Sequence, residues 1–170
     1  MSFYIYLLIS FVVAGCATSI PSKNTSQIST VSCPPIKGIK YSSSRFIWPL
    51  KGKVISKFGD SRNHNINKGI DIKSSFKKKV RASSSGKVVF CGTVRGYGLT
   101  IIIEHPQGYY TLYSNNFQSL VKTYEYVRKG QVIALLGMDS WNKEPILHFE
   151  IRKKQKPLNP LTLLNWWKAT

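Results

Sequence analysis

Acidic side chains are scarce in this chain. Its 170 residues carry seven Asp and Glu against 25 Lys and Arg, a formal net charge of +18. An excess of that size points toward anionic partners: nucleic acid, an anionic membrane or another anionic polymer. Cysteine is sparse too, at 16, 33 and 91 only, and no CxxC or Cys/His spacing builds a zinc site from thiols. No stretch longer than ten residues keeps a clean helical period, which argues against a helical domain. No convincing internal repeat appears, which argues against a solenoid. Global disorder is excluded by a hydrophobic content of 42%, enough to build a core.

The one long apolar run covers residues 3–13. It is short for a bilayer span and has the length of a signal-peptide core. No Lys or Arg precedes it. It ends in Val13-Ala14-Gly15-Cys16, which resembles the lipobox of bacterial lipoproteins. The resemblance implies a signal peptide over residues 1–15, cleavage before Cys16 and acylation of Cys16. Several acyl chains would hold the protein on a membrane. Ala17 in place of Asp implies, by the enterobacterial sorting pattern, the inner face of the outer membrane with the folded part in the periplasm. An ordinary secretory signal is the plainer alternative. Export removes nucleic acid as a partner. Peptidoglycan carboxylates, anionic head groups and an acidic protein remain, and a Lys-, Asn-, Ile- and Ser-rich composition accounts for the charge equally well. Cys33 and Cys91 would enter a compartment that permits disulfides; a bridge and two separate thiols both stay open.

Residues 17–45 are rich in Ser, Thr, Pro and Lys and read, from Cys16 on, as a flexible tether. Residues 46–170 form the folded part. Short runs rich in β-branched and aromatic residues predict strands at 53–58, 69–72, 80–82, 87–91, 99–104, 109–114, 132–136 and 147–151, with glycines between them. One short helical turn is expected over 159–164. The fold class is all-β, a single sandwich or barrel-like domain of short antiparallel strands with little helix.

Several segments in order then carry a specific resemblance. They include Trp48-Pro49-Leu50-Lys51-Gly52, Gly69-Ile70-Asp71-Ile72, Gly96-Tyr97-Gly98, Tyr109-Tyr110-Thr111-Leu112-Tyr113 and Leu147-His148-Phe149-Glu150-Ile151-Arg152. Together they resemble the LytM/lysostaphin-type zinc metallopeptidases, from Trp48 almost to the end of the chain. Active members hold zinc with a His and an Asp four residues apart and the second His of a His-x-His pair. Two further histidines serve the attacking water. Such a site needs three protein ligands and one open position. Carried over by position, the resemblance places Asn67 at the first ligand, Asp71 at the second and His148 at the third. Asn115 and Ile146 stand where the two catalytic histidines belong. An amide is a poor zinc ligand beside imidazole, and Ile146 neither ligates nor moves a proton. The expectation is therefore no catalytic residue, no metal and no cofactor. Should a metal bind, Asp71 and His148 would hold it with His64 swung in from its loop. Without metal, His148 is expected to pair with Asp71 by a charge-assisted hydrogen bond. His105 reads as structural.

The string Asn67-Lys68-Gly69-Ile70-Asp71-Ile72 is similar to the NlpD branch of this family, lipoproteins that activate murein hydrolases. That resemblance implies a groove at Asn67, Asp71, Asn115, Ile146 and His148 that binds a periplasmic N-acetylmuramoyl-L-alanine amidase during peptidoglycan hydrolysis and cell separation. Two other readings stand beside it: a divergent zinc endopeptidase using His64, and a passive peptidoglycan-binding lipoprotein. Trp166-Trp167 is either a contact site or packed on the domain.

Overall fold

The computed structural model describes residues 46–62, 65–140 and 143–165. Cys16, Cys33, His64, Trp166 and Trp167 lie outside them, as do residues 1–45. Among the described residues the strands are β1 (Phe46–Ile47), β2 (Lys53–Ser56), β3 (Ser61–Arg62), β4 (Asn65–Ile66), β5 (Ile70–Lys73), β6 (Lys79–Arg81), β7 (Gly86–Val94), β8 (Gly98–His105), β9 (Tyr109–Ser119), β10 (Tyr126–Val127), β11 (Val132–Leu136), β12 (Ile146–Lys153), β13 (Lys156–Leu158) and β14 (Leu164–Asn165). Two 3-10 turns, Pro106–Gly108 and Pro160–Thr162, are the helical elements among the described residues. No helix there is long and apolar enough to cross a membrane.

One antiparallel sheet dominates, in the order β10-β7-β8-β9-β12-β5-β2. It does not close. β11 pairs with both β9 and β6, and β13 pairs with β12. The fold is thus the expected all-β domain, in its open form. The central strands β5, β8 and β12 supply alternate residues to the core. Ile70 and Ile72 of β5, Ile101 and Ile103 of β8, and Leu147, Phe149 and Ile151 of β12 are all 0% exposed and share one core cluster. Tyr113 joins them; its hydroxyl oxygen accepts from the Ser83 N–H (2.8 Å) and the Thr111 hydroxyl (2.9 Å), which satisfies a polar atom that burial would otherwise penalise. Burial also pushes its phenol pKa up. His105 is structural as expected. Its ring sits between the Ser85 carbonyl and the Thr111 hydroxyl, edge-on to Phe46.

The eight strands expected from sequence are present, β11 with the expected ends and the others with shifted ones. The largest shift is in β9, which runs on through Ser119 where the pattern stops at Ser114. The chain passes Asn115 at φ 63°. Pairing of β9 with β8 slips there, and the strand leaves β12 for β11. That is a β-bulge, which re-aims side chains beside it. The helical turn expected over 159–164 is a 3-10 turn capped by Asn159, whose side chain accepts from the Leu161 N–H. Strands of two residues, such as β3, β4 and β10, carry too little pattern to be read from sequence.

Candidate functional site

Strand alternation assembles the site. On β12, Leu147, Phe149 and Ile151 enter the core, so His148, Glu150 and Arg152 share the other face. Antiparallel register sets His148 opposite Asp71 of β5 on one side and Ser114 of β9 on the other. β5 and β12 approach closely just before this pairing. A Cβ at Gly69 would stand 2.2 Å from the Phe149 carbonyl oxygen, so glycine is required there.

Both ring nitrogens of His148 are engaged. Nδ1 lies 2.7 Å from an Asp71 carboxylate oxygen and Nε2 lies 3.0 Å from Glu150. Glu150, 0% exposed, also accepts from the Arg152 Nε–H through its other oxygen. Burial pulls the His148 pKa down, but the hydrogen bonds and charges of Asp71 and Glu150 outweigh it and push the group to about 9. Burial likewise opposes the charge on Glu150, and the bonds from His148 and Arg152 overcome it, holding the carboxyl below its ordinary value. Arg152 is raised, first by its bond to Glu150. The result is a row of alternating charge, Arg152⁺–Glu150⁻–His148⁺–Asp71⁻, with His148 an imidazolium at neutral pH.

Asn67 closes the row. Its Nδ2 donates to the Ser56 hydroxyl (2.8 Å) and to Asp71 (3.2 Å), and its Oδ1 accepts from the Gly69 N–H (2.9 Å). Asn115 and Ile146 form a second pair: Asn115 Nδ2 donates to the Ile146 carbonyl at 3.2 Å, with Asp139 at 3.4 Å. Both residues are buried. Tyr97 joins the two groups. Its carbonyl accepts from the Asn115 N–H, and its ring packs edge-on to His148 at 5.5 Å. Burial, then the Glu150 charge, raises its phenol pKa.

The sequence-derived residues Asn67, Asp71 and His148 therefore meet in one network, with Asn115 and Ile146 beside it. Glu150, Arg152, Tyr97 and Ser56 belong to the site without having been singled out for a role. For Glu150 and Arg152 the signal was available: positions 148, 150 and 152 fall on one strand face by period alone. Among the described residues no three His, Cys, Asp or Glu side chains are grouped so as to hold a metal ion. Nearby, a hollow of about 480 Å³ is walled by Val89, Ile102, Leu112 and Tyr110 and rimmed by Arg152 and Lys154. Arg152 connects it to the charged row.

The family model described as Peptidase family M23 matches residues 65–160. The chain is 43% identical over 122 residues to the murein hydrolase activator NlpD of Escherichia coli (strain K12), covering 71% of this chain and 31% of that protein. It is 35% identical over 161 residues to outer membrane antigenic lipoprotein B of Haemophilus influenzae, covering 89% of this chain and 39% of the other. The chain thus spans about a third of the length of these relatives. Among solved structures, the catalytic domain of the antimicrobial peptidase lysostaphin from Staphylococcus simulans superimposes with a TM-score of 0.61 at 26% identity, covering 65% of this chain and 90% of that domain.

Proposed function

The chain belongs to peptidase family M23, and we propose that within that family it is a non-catalytic activator of periplasmic N-acetylmuramoyl-L-alanine amidases. Its groove binds the amidase rather than cleaving peptidoglycan. One observation carries this reading: Asn67, Asn115 and Ile146 stand at positions where active members carry histidine, which leaves Asp71 and His148 as two ligands where a catalytic zinc needs three. The Asn67 amide is turned to Asp71 and the Gly69 N–H, and Ile146 supplies carbon. The similarity to a relative named as a murein hydrolase activator supports the same conclusion.

The groove suits a protein partner: an apolar hollow, a basic rim and a charged row held rigid by its own bonds. An activator that binds only the open form of an autoinhibited enzyme shifts it toward activity by its difference in affinity for the two forms. In this proposal residues 1–15 are removed, Cys16 is acylated, residues 16–45 tether residues 46–170, and the protein stands in the cell envelope at the outer membrane. The relative named as an outer membrane antigenic lipoprotein supports that placement.

The test is dye release from labelled peptidoglycan by the full chain in detergent, with and without a cognate amidase. No release alone and a several-fold increase in the amidase's release are expected. Chelator-sensitive cleavage by the chain alone, with zinc bound one to one, would overturn the proposal in favour of a peptidase completed by His64.

A further inference from the structure

The seven carboxylates of this chain all have partners already. Asp71 and Glu150 hold His148 and Arg152, and Glu144 pairs with Lys73. Asp139 accepts from Asn115 and Glu104 from Tyr110. Asp60 and Glu125 accept from the backbone N–H groups of Lys57 and Lys122. Four of these carboxylates bond to neutral donors and keep their charge, but seven acidic side chains against 25 basic ones leave the chain with a net excess of +18.

One cluster combines that charge with exposed carbon. The turn after β5 presents Phe76, Lys77 and Lys78, and Lys79 opens β6, all four exposed. The Lys77 N–H donates to the Leu136 carbonyl, and the Leu136 N–H donates to the Lys78 carbonyl. The turn therefore lies against the end of β11, where Met138 follows. Leu136 pairs in turn with Asn116 of β9, next to Phe117. The rings of Phe76 and Phe117 meet edge to face at 5.4 Å, and the Lys77 ammonium stands 4.8 Å from the Phe117 ring and 5.5 Å from that of Phe76. Phe76, Phe117 and Met138 are 43%, 51% and 47% exposed. A single exposed hydrophobic is ordinary, but three large ones gathered around a lysine triplet mark an interaction surface.

We propose that this patch docks on an anionic lipid surface. Phe76, Phe117 and Met138 enter the boundary between head groups and acyl chains, and Lys77, Lys78 and Lys79 meet the phosphates. The chemistry favours lipid over polymer. Carboxylates of a glycan would engage the lysines and leave the rings in water, whereas a bilayer supplies a phosphate layer over an apolar one, matching the patch. The assignment does not depend on amidase activation.

Met138 is the one methionine besides the initiator, so its sulfoxide reports on the patch. The full chain, mixed with vesicles of phosphatidylcholine or of phosphatidylcholine with phosphatidylglycerol, is exposed to hydrogen peroxide. Three lysines at an anionic leaflet favour docking by a factor on the order of 100. Oxidation of Met138 is accordingly expected to slow at least about fivefold in the anionic vesicles. The surface variant Lys77→Gln/Lys78→Gln/Lys79→Gln, with circular dichroism unchanged, should restore the faster rate, and Phe76→Ser/Phe117→Ser should do the same. Equal rates in the two vesicles would overturn the proposal. So would protection by free inorganic phosphate without vesicles, which would make this an ion site, or protection that appears only on adding peptidoglycan or a protein.

Discussion

Along β12, Leu147, Phe149 and Ile151 lie in the core cluster, while His148, Glu150 and Arg152, one position away each time, are bound to one another by charge. Glu150 is as fully buried as Phe149, both 0% exposed. Burial alone therefore does not distinguish the two faces. The core residues gain free energy by leaving water whatever their exact neighbours, so volume is what they must conserve. The charged residues lose free energy on leaving water and recover it only through named partners, so each depends on the others being present.

The core face gives the largest expected effect. Phe149→Ala removes a ring packed against Tyr113 at 5.3 Å between centroids and should cost about 3–5 kcal/mol in denaturant unfolding, whereas Phe149→Leu should cost much less. If the two substitutions cost the same, the carbon face is as partner-specific as the charged one and the comparison breaks.

The charged face gives the next effect, and it depends on pH. The groups facing His148 are Asp71 from β5, Glu150 and, through it, Arg152 on β12, and the Tyr97 ring. The His148 pKa rises on folding from 6.5 to about 9. Its contribution is therefore fully present below pH 6.5 and is lost as pH climbs through about 9; the difference corresponds to roughly 3 kcal/mol. Glu150 is shifted the other way, so its contribution is present above its ordinary value of 4.5 and lost as acid protonates it in the folded protein. Thermal melts should accordingly show a midpoint that falls between pH 6.5 and 9 in the wild type and a flatter profile in His148→Gln. A wild-type profile as flat as the variant's would mean that folding does not raise the His148 pKa and that the charged row does not stabilise the imidazolium.

How much of each face is legible in the sequence follows from the same contrast. The carbon face is written in period-two alternation, and Leu147–Phe149–Ile151 stands out without reference to any other strand. Asp71 and His148 are legible through their motif. The same alternation puts Glu150 and Arg152 on the face of His148, but nothing local says that this glutamate will be fully buried there. Its burial makes sense only once His148 and Arg152 are seen on both its oxygens. The run of β9 past Ser114 was hidden for a related reason. Asn115-Asn116 looks like the end of a strand, and only the pairing of 116–119 with β11 makes a bulge preferable to a turn there.

The smallest effect tests whether the row ends at Asp71 or extends to Asn67. The Asn67 amide donates to Ser56 and Asp71 and accepts from Gly69, so it does two things: it ties β2 to β5 and it orients the Asp71 oxygen that does not face His148. Asn67→Ala deletes these bonds at a partly exposed position where water can replace some of them, and should cost about 1 kcal/mol. Asn67→Asp keeps the acceptor for the Gly69 N–H but sets a second carboxylate against Asp71. Repulsion there should raise the acid limb of the melting profile while leaving the alkaline limb, set by His148, nearly in place. A shift of the alkaline limb as large as that of the acid one would show that Asn67 and His148 respond as a unit through Asp71. The row would then include Asn67 as a full member, and a substitution at the mouth of the groove would act on the buried Glu150 beyond it.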